Sequence, residues 1–171
     1  NGIDKLNTPV DSASLAFFRI VFGVIMLMSQ IRFVAKGWVE QLYIQPKFFF
    51  KYYGFHWVQP LHGNWMYLPW VLMIILLVFI IIGKYYRAAI IAFFLLFSYT
   101  ELLDLTNYLN HYYLITLLSF IMIFLPMNAS FSLDARKWNQ PTTVLRWTLL
   151  VLQLQVGLVY FFAGIGKIKY D

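Results

Sequence analysis

The chain has 171 residues, of which 61% are hydrophobic, 20% aromatic and only 12% charged. An ordinary soluble domain carries about 25% charged residues, so a globule of this composition would lack the polar side chains to cover its surface. This excludes a disordered chain and most soluble enzymes, and the lack of cysteine excludes a disulfide framework and cysteine-based metal sites. The sequence therefore predicts a protein whose solvent is the lipid bilayer.

The net charge of +6 does not indicate a nucleic-acid partner. The 13 Lys and Arg residues are scattered between apolar runs instead of clustering on one face, as phosphate binding needs. We expect the lipid bilayer, and no nucleic acid, as the partner. Because the chain starts at Asn1 and stops at Asp171 just after an apolar run, we expect residues 1–171 to be one membrane domain of a longer protein.

Five apolar stretches approach the roughly 20 residues that a helix needs to cross the hydrocarbon core. They run over about 14–31, 65–82, 88–111, 112–125 and 143–164. Asp11 and Ser12 precede the first as helix-start signals, and Gly83 closes the second as a C-terminal cap. Arg19, inside the first stretch, is expected to snorkel or to pair with an acidic residue. We predict an all-α integral membrane protein, a bundle of about five transmembrane helices.

The connection between the first two stretches, residues 32–64, mixes aromatic and basic side chains. Amphipathic rings settle in the head-group layer, so we predict an interfacial or re-entrant segment. His56 and His62 lie in it at a spacing unlike that of a metal pair on a helix, and we expect no metal site. The aromatic and basic residues are Trp38, Tyr43, Phe48, Phe49, Phe50, Tyr52, Tyr53, Phe55 and Trp57 with Arg32, Lys36, Lys47 and Lys51.

Five spans would place the 32–64 segment, the turn near His111 and the C-terminal end on one face of the membrane. The N-terminus and two short loops would lie on the other face. These loops are basic, with Lys84, Arg87, Arg136 and Lys137 against Asp134. The positive-inside rule therefore predicts a cytoplasmic N-terminus, with His111 and Lys167 on the extracytoplasmic side.

The fifth stretch carries one face of polar or small residues at helical spacing. Its members are Arg146, Gln153, Gly157, Tyr160, Gly164 and Lys167. Small residues let a neighbouring helix approach closely, so we expect this face to point into the bundle. Lys167, at its outer end, is either a functional group in a cavity or an anchor that snorkels to the head groups.

The third stretch carries a second polar face if its helix continues to His111, a reading that we prefer over an interfacial turn at residues 98–111. The face consists of Glu101, Asp104, Tyr108 and His111. It is either a polar helix end in the interface or a functional surface. Because the two polar faces end on the same side of the membrane, His111 and Lys167 could line one cavity.

Four short segments resemble the membrane domain of vitamin K-dependent γ-glutamyl carboxylase, which bacterial HTTM (horizontally transferred transmembrane) proteins share. They keep their order over nearly the whole chain: Asp11–Arg19 with Phe22 and Gly23, Trp65–Leu68, Leu102–Asp104 with Thr106, Asn110, His111, Tyr113 and Leu114, and Tyr160–Gly164 with Lys167. The resemblance implies a bundle of membrane helices. In the carboxylase a large β-rich extramembrane region follows, which would lie outside this chain.

The resemblance also implies a reaction and the groups that take part in it. In that reaction, oxygenation of vitamin K hydroquinone to its epoxide by O2 is coupled to carboxylation of protein-bound Glu by CO2. It implies Lys167 as the general base and His111 as its auxiliary. A Lys must be neutral to act as a base, and burial favours that form. The residues implied near a menaquinol-type cofactor are Asn110, Tyr160, Asp104 and Gly164.

Some features depart from the carboxylase pattern. The vertebrate enzymes have two adjacent Lys residues in the last segment, whereas here Gly166 precedes Lys167 and the second Lys is Lys169. Bacterial HTTM proteins need not carboxylate Glu. The alternative is therefore a non-carboxylating HTTM protein that binds quinone or lipid, or a maturation factor for an exported peptide. A transporter or channel is disfavoured because the polar faces end on one side.

Overall fold

The computed structural model describes the backbone of residues 2–138 and 142–170 and the side chains of residues 4–137 and 142–166. Its helices are α1 (Gly2–Leu6), α2 (Ala13–Ala35), α3 (Leu68–Ile82), α4 (Tyr86–Leu102), α5 (Asn110–Phe124), α6 (Leu133–Trp138) and α7 (Arg146–Tyr170). Two short strands, β1 (Pro9–Asp11) and β2 (Thr143–Leu145), pair antiparallel with Val10 opposite Val144. The all-α prediction misses this pair because each strand has only three residues and its partner is distant in sequence.

Helices α2 to α5 pack in chain order, each against the next. Their contact surfaces form one apolar core, which includes Phe22, Met26, Trp70, Met73, Leu77, Ile90, Phe93, Phe97 and Met122. Aromatic rings join neighbouring helices inside it. Phe22 of α2 and Phe93 of α4, for example, meet edge to face with ring centres 6.1 Å apart, a favoured arrangement for aromatic pairs.

Among the described residues, three helical segments are long and apolar enough to cross a membrane, namely Ala13–Ala35, Gly63–Ile82 and Arg146–Gly166. The predicted start of the first is confirmed, because the Asp11 carboxylate accepts a hydrogen bond from the Ala13 amide at 2.8 Å. The predicted end of the second is also confirmed, since Gly83 adopts a left-handed conformation with φ 65°. The total of five spans stays a prediction.

The third predicted stretch does not continue as one helix to His111. Its helix ends at Leu102, and Asp104 lies in an extended conformation at the start of a 3-10 turn. Asp104 Oδ1 accepts hydrogen bonds from Thr106 N at 3.0 Å and from Thr106 Oγ1 at 2.9 Å. An aspartate that bonds its own backbone in this way competes with helix formation. The predicted common helical face is therefore wrong for Glu101, Asp104, Tyr108 and His111.

The predicted inward face of the fifth stretch does not pack into the bundle. Helix α7 contacts β2 and α1, and Thr148 and Leu152, both near its start, are the buried residues among its described side chains. The polar and small residues Gln153, Gly157, Tyr160 and Gly164 are exposed. The expectation fails because the strand pair holds only the first turns of α7. Lys167 lies outside the described side chains.

Arg19 is fully buried and does not snorkel. Its Nη1 donates a hydrogen bond to the Ile80 carbonyl oxygen at 2.9 Å, and its Nη2 donates to that of Phe131 at 2.6 Å. Neither partner is the acidic residue that the sequence led us to expect. The guanidinium instead joins α2 to the last turn of α3 and to the loop before α6, where polar backbone groups need partners.

Candidate functional site

Residues 36–67 fold over the end of the bundle at which α4 ends. They form an irregular chain with a π-helical turn (Glu40–Ile44) and a 3-10 turn (Gly63–Tyr67). Hydrogen bonds to α4 and to the turn after it hold this stretch, which we call the aromatic segment, in place. The Leu105 amide donates to the Phe50 carbonyl oxygen at 2.8 Å, and the Tyr99 hydroxyl donates to that of Gln59 at 2.8 Å.

Lys51 ties the aromatic segment both to itself and to the turn between α4 and α5. Its Nζ donates hydrogen bonds to the carbonyl oxygens of Val58 at 2.6 Å and Leu103 at 3.3 Å. Burial lowers the pKa of Lys51, and the nearby Asp104 carboxylate opposes that effect. Lys51 thus links two parts of the backbone, whereas a basic residue in an interfacial segment is expected only to contact lipid head groups.

A cavity of about 270 Å³ lies between the aromatic segment, the last turn of α4 and the first turns of α5. Its volume is just below the range of about 300–1,000 Å³ that is usual for small-molecule sites. The walls are mainly apolar and aromatic, with a few side-chain oxygens. We call it the α4–α5 cavity, and its lining residues are Tyr52, Ser98, Glu101, Leu102, Tyr108, Tyr113 and Thr116.

Two oxygen-bearing side chains of α4 stand out in this wall. Ser98 Oγ is buried and has no hydrogen-bond partner among the described residues, which is uncommon because a buried hydroxyl without a partner costs free energy. Among the described residues, the Glu101 carboxylate takes part in no hydrogen bond and no ion pair. Both side chains thus border the cavity without a hydrogen-bond partner among the described residues.

Glu101 also borders a second, much smaller space on its other side. This void of about 20 Å³ is lined by Gln30, Tyr43, Thr100 and Tyr112 together with apolar residues. Burial raises the pKa of Tyr43, with further increases from Glu101 and other neighbours. Burial and the Glu101 carboxylate likewise raise the pKa of Tyr52. Both phenols therefore stay protonated at neutral pH and can donate hydrogen bonds.

A family model for the HTTM domain matches residues 7–171, which is almost the entire chain. The chain belongs to the HTTM family. The resemblance inferred from the four short segments is thereby confirmed, and the three long apolar helices agree with a membrane protein. No solved structure matches this HTTM domain.

Three of the site residues expected from the sequence lie in or beside the turn between α4 and α5 of the HTTM domain. Asp104 is buried and caps that turn. Asn110 and His111 are exposed in the first turn of α5. The His111 ring meets the Tyr112 ring with centres 4.5 Å apart, and Tyr112 borders the small void beside Glu101.

The other expected site residues lie on α7, apart from this turn. Tyr160 is 75% exposed, and no atom lies within 4 Å of the position that a Cβ on Gly164 would take. Among the described side chains, neither residue shares a hydrogen bond or a ring contact with Asp104, Asn110 or His111. The shared cavity of His111 and Lys167 stays a prediction, because the Lys167 side chain lies outside the described part.

Ser98 and Tyr52 line the cavity but were not predicted as site residues from the sequence. One signal for Ser98 was available, because Ser98 and Glu101 are three residues apart at the polar end of an apolar run and so share a helical face. Tyr52 carried no such signal. Its position depends on the hydrogen bonds of Lys51, which join residues far apart in the chain.

Proposed function

We propose that this HTTM domain binds an isoprenoid quinol and acts on it as a vitamin K-dependent γ-glutamyl carboxylase-like enzyme. HTTM domains are found in vitamin K-dependent carboxylase. The observation that carries the proposal is the α4–α5 cavity, with its mainly apolar aromatic wall and its few unengaged oxygens. An apolar pocket with a small number of polar groups suits an aromatic head group that bears hydroxyls.

The proposed overall reaction consumes a quinol, O2, CO2 and a protein Glu. It yields the quinone epoxide, water and γ-carboxyglutamate, with release of one proton. The quinol supplies the reducing power when bound. The protein's part is to hold the head group, exclude water and accept protons, and a dry site protects strongly basic groups from protonation by water.

In this proposal, Lys167 is the general base and His111 is its auxiliary. His111 lies next to Asn110 at the end of the bundle that holds the α4–α5 cavity, which supports a role for both near the head group. Asp104 holds the shape of the turn through Thr106. Tyr160 and Gly164 would reach the quinol only if α7 approached the bundle more closely.

The second candidate is a non-carboxylating HTTM protein that binds quinone or lipid, or assists in maturation of an exported peptide. The exposed position of α7 favours it, since Tyr160 and Gly164 contact none of the residues at the cavity among those described. A binding protein would use the α4–α5 cavity alone. It would not need Lys167 as a base.

We further infer five spans, with the N-terminus in the cytoplasm and His111 outside. Helix α4 runs from Tyr86 to Leu102, with Lys84 before it and His111 after it, which supports placing these two residues on opposite sides of the membrane. Because the chain has no cysteine, single cysteines can be introduced without background. Cysteines at Lys36 and His111 should be labelled from the outside and one at Lys84 from the inside. Labelling of His111 and Lys84 from one side contradicts the orientation.

The function is tested with the full chain in lipid nanodiscs. A menaquinol with a short isoprenoid tail, O2, isotopically labelled CO2 and a Glu-containing peptide are added, and epoxide and labelled peptide are measured by mass spectrometry. Epoxide together with labelled peptide supports the enzyme. Quinol binding without epoxide supports the second candidate, and the absence of both binding and epoxide overturns both. The oxidised quinone serves as the matched control substrate.

A further inference from the structure

The α4–α5 cavity has a chemical asymmetry that distinguishes a reduced head group from an oxidised one. An ionised carboxylate accepts hydrogen bonds but donates none. A quinol hydroxyl donates a hydrogen bond, whereas a quinone carbonyl only accepts. In its ionised form, the Glu101 side chain in the cavity wall can therefore bond the quinol and would face a quinone oxygen without a proton between them.

We propose that Glu101 recognises the reduced head group, its carboxylate accepting a hydrogen bond from one quinol hydroxyl while Ser98 Oγ bonds the same hydroxyl. This inference rests on the quinol-binding function proposed above and names the group that gives the site its preference for quinol over quinone. We assign this role to Glu101 and not to Asp104, because the Asp104 carboxylate already accepts two hydrogen bonds from Thr106.

The two residues border the cavity from neighbouring positions on one helix. Ser98 and Glu101 are three residues apart on α4, and side chains at that spacing lie side by side on a helix. Ser98 Oγ is buried with no partner among the described residues, so a ligand hydroxyl would satisfy it. The hydroxyl of a serine can donate as well as accept, and it can therefore complete the same bonding network.

The rest of the cavity fits a flat ring with a long tail. Tyr52, Tyr108 and Tyr113 contribute aromatic surface, on which another ring packs well. A volume of about 270 Å³ holds a head group but not an isoprenoid tail. Tyr108 and Tyr113 are 44% and 59% exposed, so the cavity opens past them, and a tail can leave there towards lipid.

The small void that Glu101 also lines has room for a water molecule beside this residue. Its volume of about 20 Å³ is enough for one water molecule, which needs roughly 10–15 Å³. Gln30 and Thr100 in its wall offer polar partners. A water in this position would hydrogen-bond the carboxylate and fix its direction, while the opposite side of Glu101 faces the α4–α5 cavity.

The test compares binding of the reduced and oxidised forms of a short-tailed menaquinone, measured anaerobically by tryptophan fluorescence quenching. The full chain in nanodiscs is used as wild type, Glu101→Gln and Ser98→Ala. Matched controls are Glu40→Gln and Ser14→Ala, which make the same chemical changes at exposed positions outside the cavity. A hydrogen bond to a charged group is worth about tenfold or more in affinity. We expect the wild type to prefer quinol by about that factor.

Glu101→Gln should weaken quinol binding about tenfold, because the charged acceptor is lost, and should not weaken quinone binding, because an amide can donate to a carbonyl. The preference for quinol is then lost, whereas Glu40→Gln keeps it. A wild-type preference retained in Glu101→Gln overturns the inference and leaves the proposed function standing. Absence of binding of either form to the wild type overturns the proposed function and, with it, this inference.

A photoaffinity measurement on the wild type decides the matter if the variants fail to fold. An azido derivative on the quinol ring should label Tyr52 or residues 98–116, which surround the α4–α5 cavity. Competition by unlabelled quinol should remove this labelling more effectively than competition by quinone. Specific labelling confined to α7 overturns the inference.

Discussion

Arg19 Nη1 donates a hydrogen bond to the Ile80 carbonyl oxygen at 2.9 Å, deep between α2 and the last turn of α3. The Ile80 carbonyl oxygen also accepts a hydrogen bond from the Gly83 amide at 3.2 Å, and a carbonyl oxygen can accept two. The planar guanidinium can serve two such groups at once, and its second terminal nitrogen bonds the Phe131 carbonyl oxygen. A charge inside the first span is thus a structural link between three parts of the chain.

Arg19→Lys is expected to destabilise the protein although it keeps the positive charge. An ammonium is a compact point charge and cannot match the fork that reaches both Ile80 and Phe131. A hydrogen bond from a charged donor is worth about 1.5–3 kcal/mol, and the substitution loses at least one of the two. Thermal unfolding in detergent should show a clear decrease in Tm. Arg136→Lys, at an exposed position of α6, is the control, and an equal Tm for the two variants contradicts this role of Arg19.

Gly83→Ala is expected to be strongly destabilising. Gly83 has φ 65°, and a left-handed conformation alone costs an L-residue about 1–2 kcal/mol. A Cβ there would also overlap Arg19 Nη1 and Ser132 Cβ. Gly157→Ala is the matched substitution, because it lies inside α7 with no atom near the added Cβ. It should stabilise the helix by about 1 kcal/mol. Equal effects in the unfolding experiment would show that the contact at Gly83 is not tight.

Two substitutions of Asp104 distinguish its role in shaping the turn from direct contact with a quinol. Asp104→Asn keeps an Oδ1 acceptor for the two Thr106 bonds and should leave the Tm nearly unchanged. Asp104→Ala removes the acceptor and should cost about 1 kcal/mol. If Asp104 only shapes the turn, Asp104→Asn also binds quinol like the wild type. Loss of binding at unchanged Tm would instead show that its charge contacts the head group.

The helix ends were the most accurate part of the sequence analysis. Asp11 and Gly83 act through local chemistry, a carboxylate that accepts from a nearby amide and a residue that tolerates positive φ, and both signals can be read from a few neighbouring letters. Asp104 carries the same kind of local signal. A helix that continues to His111 was predicted instead, because Asp104 lies at helical spacing from Glu101 and the two residues suggested one polar helical face.

Contacts between distant residues explain what the sequence could not predict. The strand pair that holds α7 joins Val10 to Val144, so the exposure of α7 depends on a pairing with no local pattern. Arg19 likewise bonds backbone carbonyls, which leave no trace in side-chain composition. At the site, Glu101 could be recognised in the sequence as a polar residue at the end of an apolar run. The cavity beside it could not, because its wall includes the aromatic segment, which Lys51 holds to the Leu103 carbonyl oxygen.

His111→Ala is expected to leave folding and membrane insertion intact, because the side chain is exposed and its described contact is the ring of Tyr112. If His111 assists proton transfer, quinol epoxidation should decrease by about a hundredfold or more. His56→Ala, at an exposed position of the aromatic segment, serves as the control. Undiminished epoxidation in a well-expressed His111→Ala protein would assign His111 to an interfacial polar role.

The proposed carboxylase-like reaction requires Lys167 to act as a neutral base. The substitution Lys167→Arg distinguishes this role from that of an anchor at the lipid head groups. Arg keeps the charge and can still reach the head groups, but it does not lose its proton in proteins. An anchor tolerates the change, whereas a base does not. Lys84→Arg, at an exposed position of the short loop before α4, is the matched control and should behave like the wild type.

The decisive measurement is the rate of epoxide formation from a short-tailed menaquinol by Lys167→Arg in nanodiscs, with quinol binding measured in the same sample. The account predicts a decrease of about a hundredfold or more in the rate while quinol binding stays unchanged. A small amine added to Lys167→Ala should then restore part of the rate by replacing the missing base. Epoxide formation by Lys167→Arg at the wild-type rate would contradict the carboxylase-like mechanism for this HTTM domain.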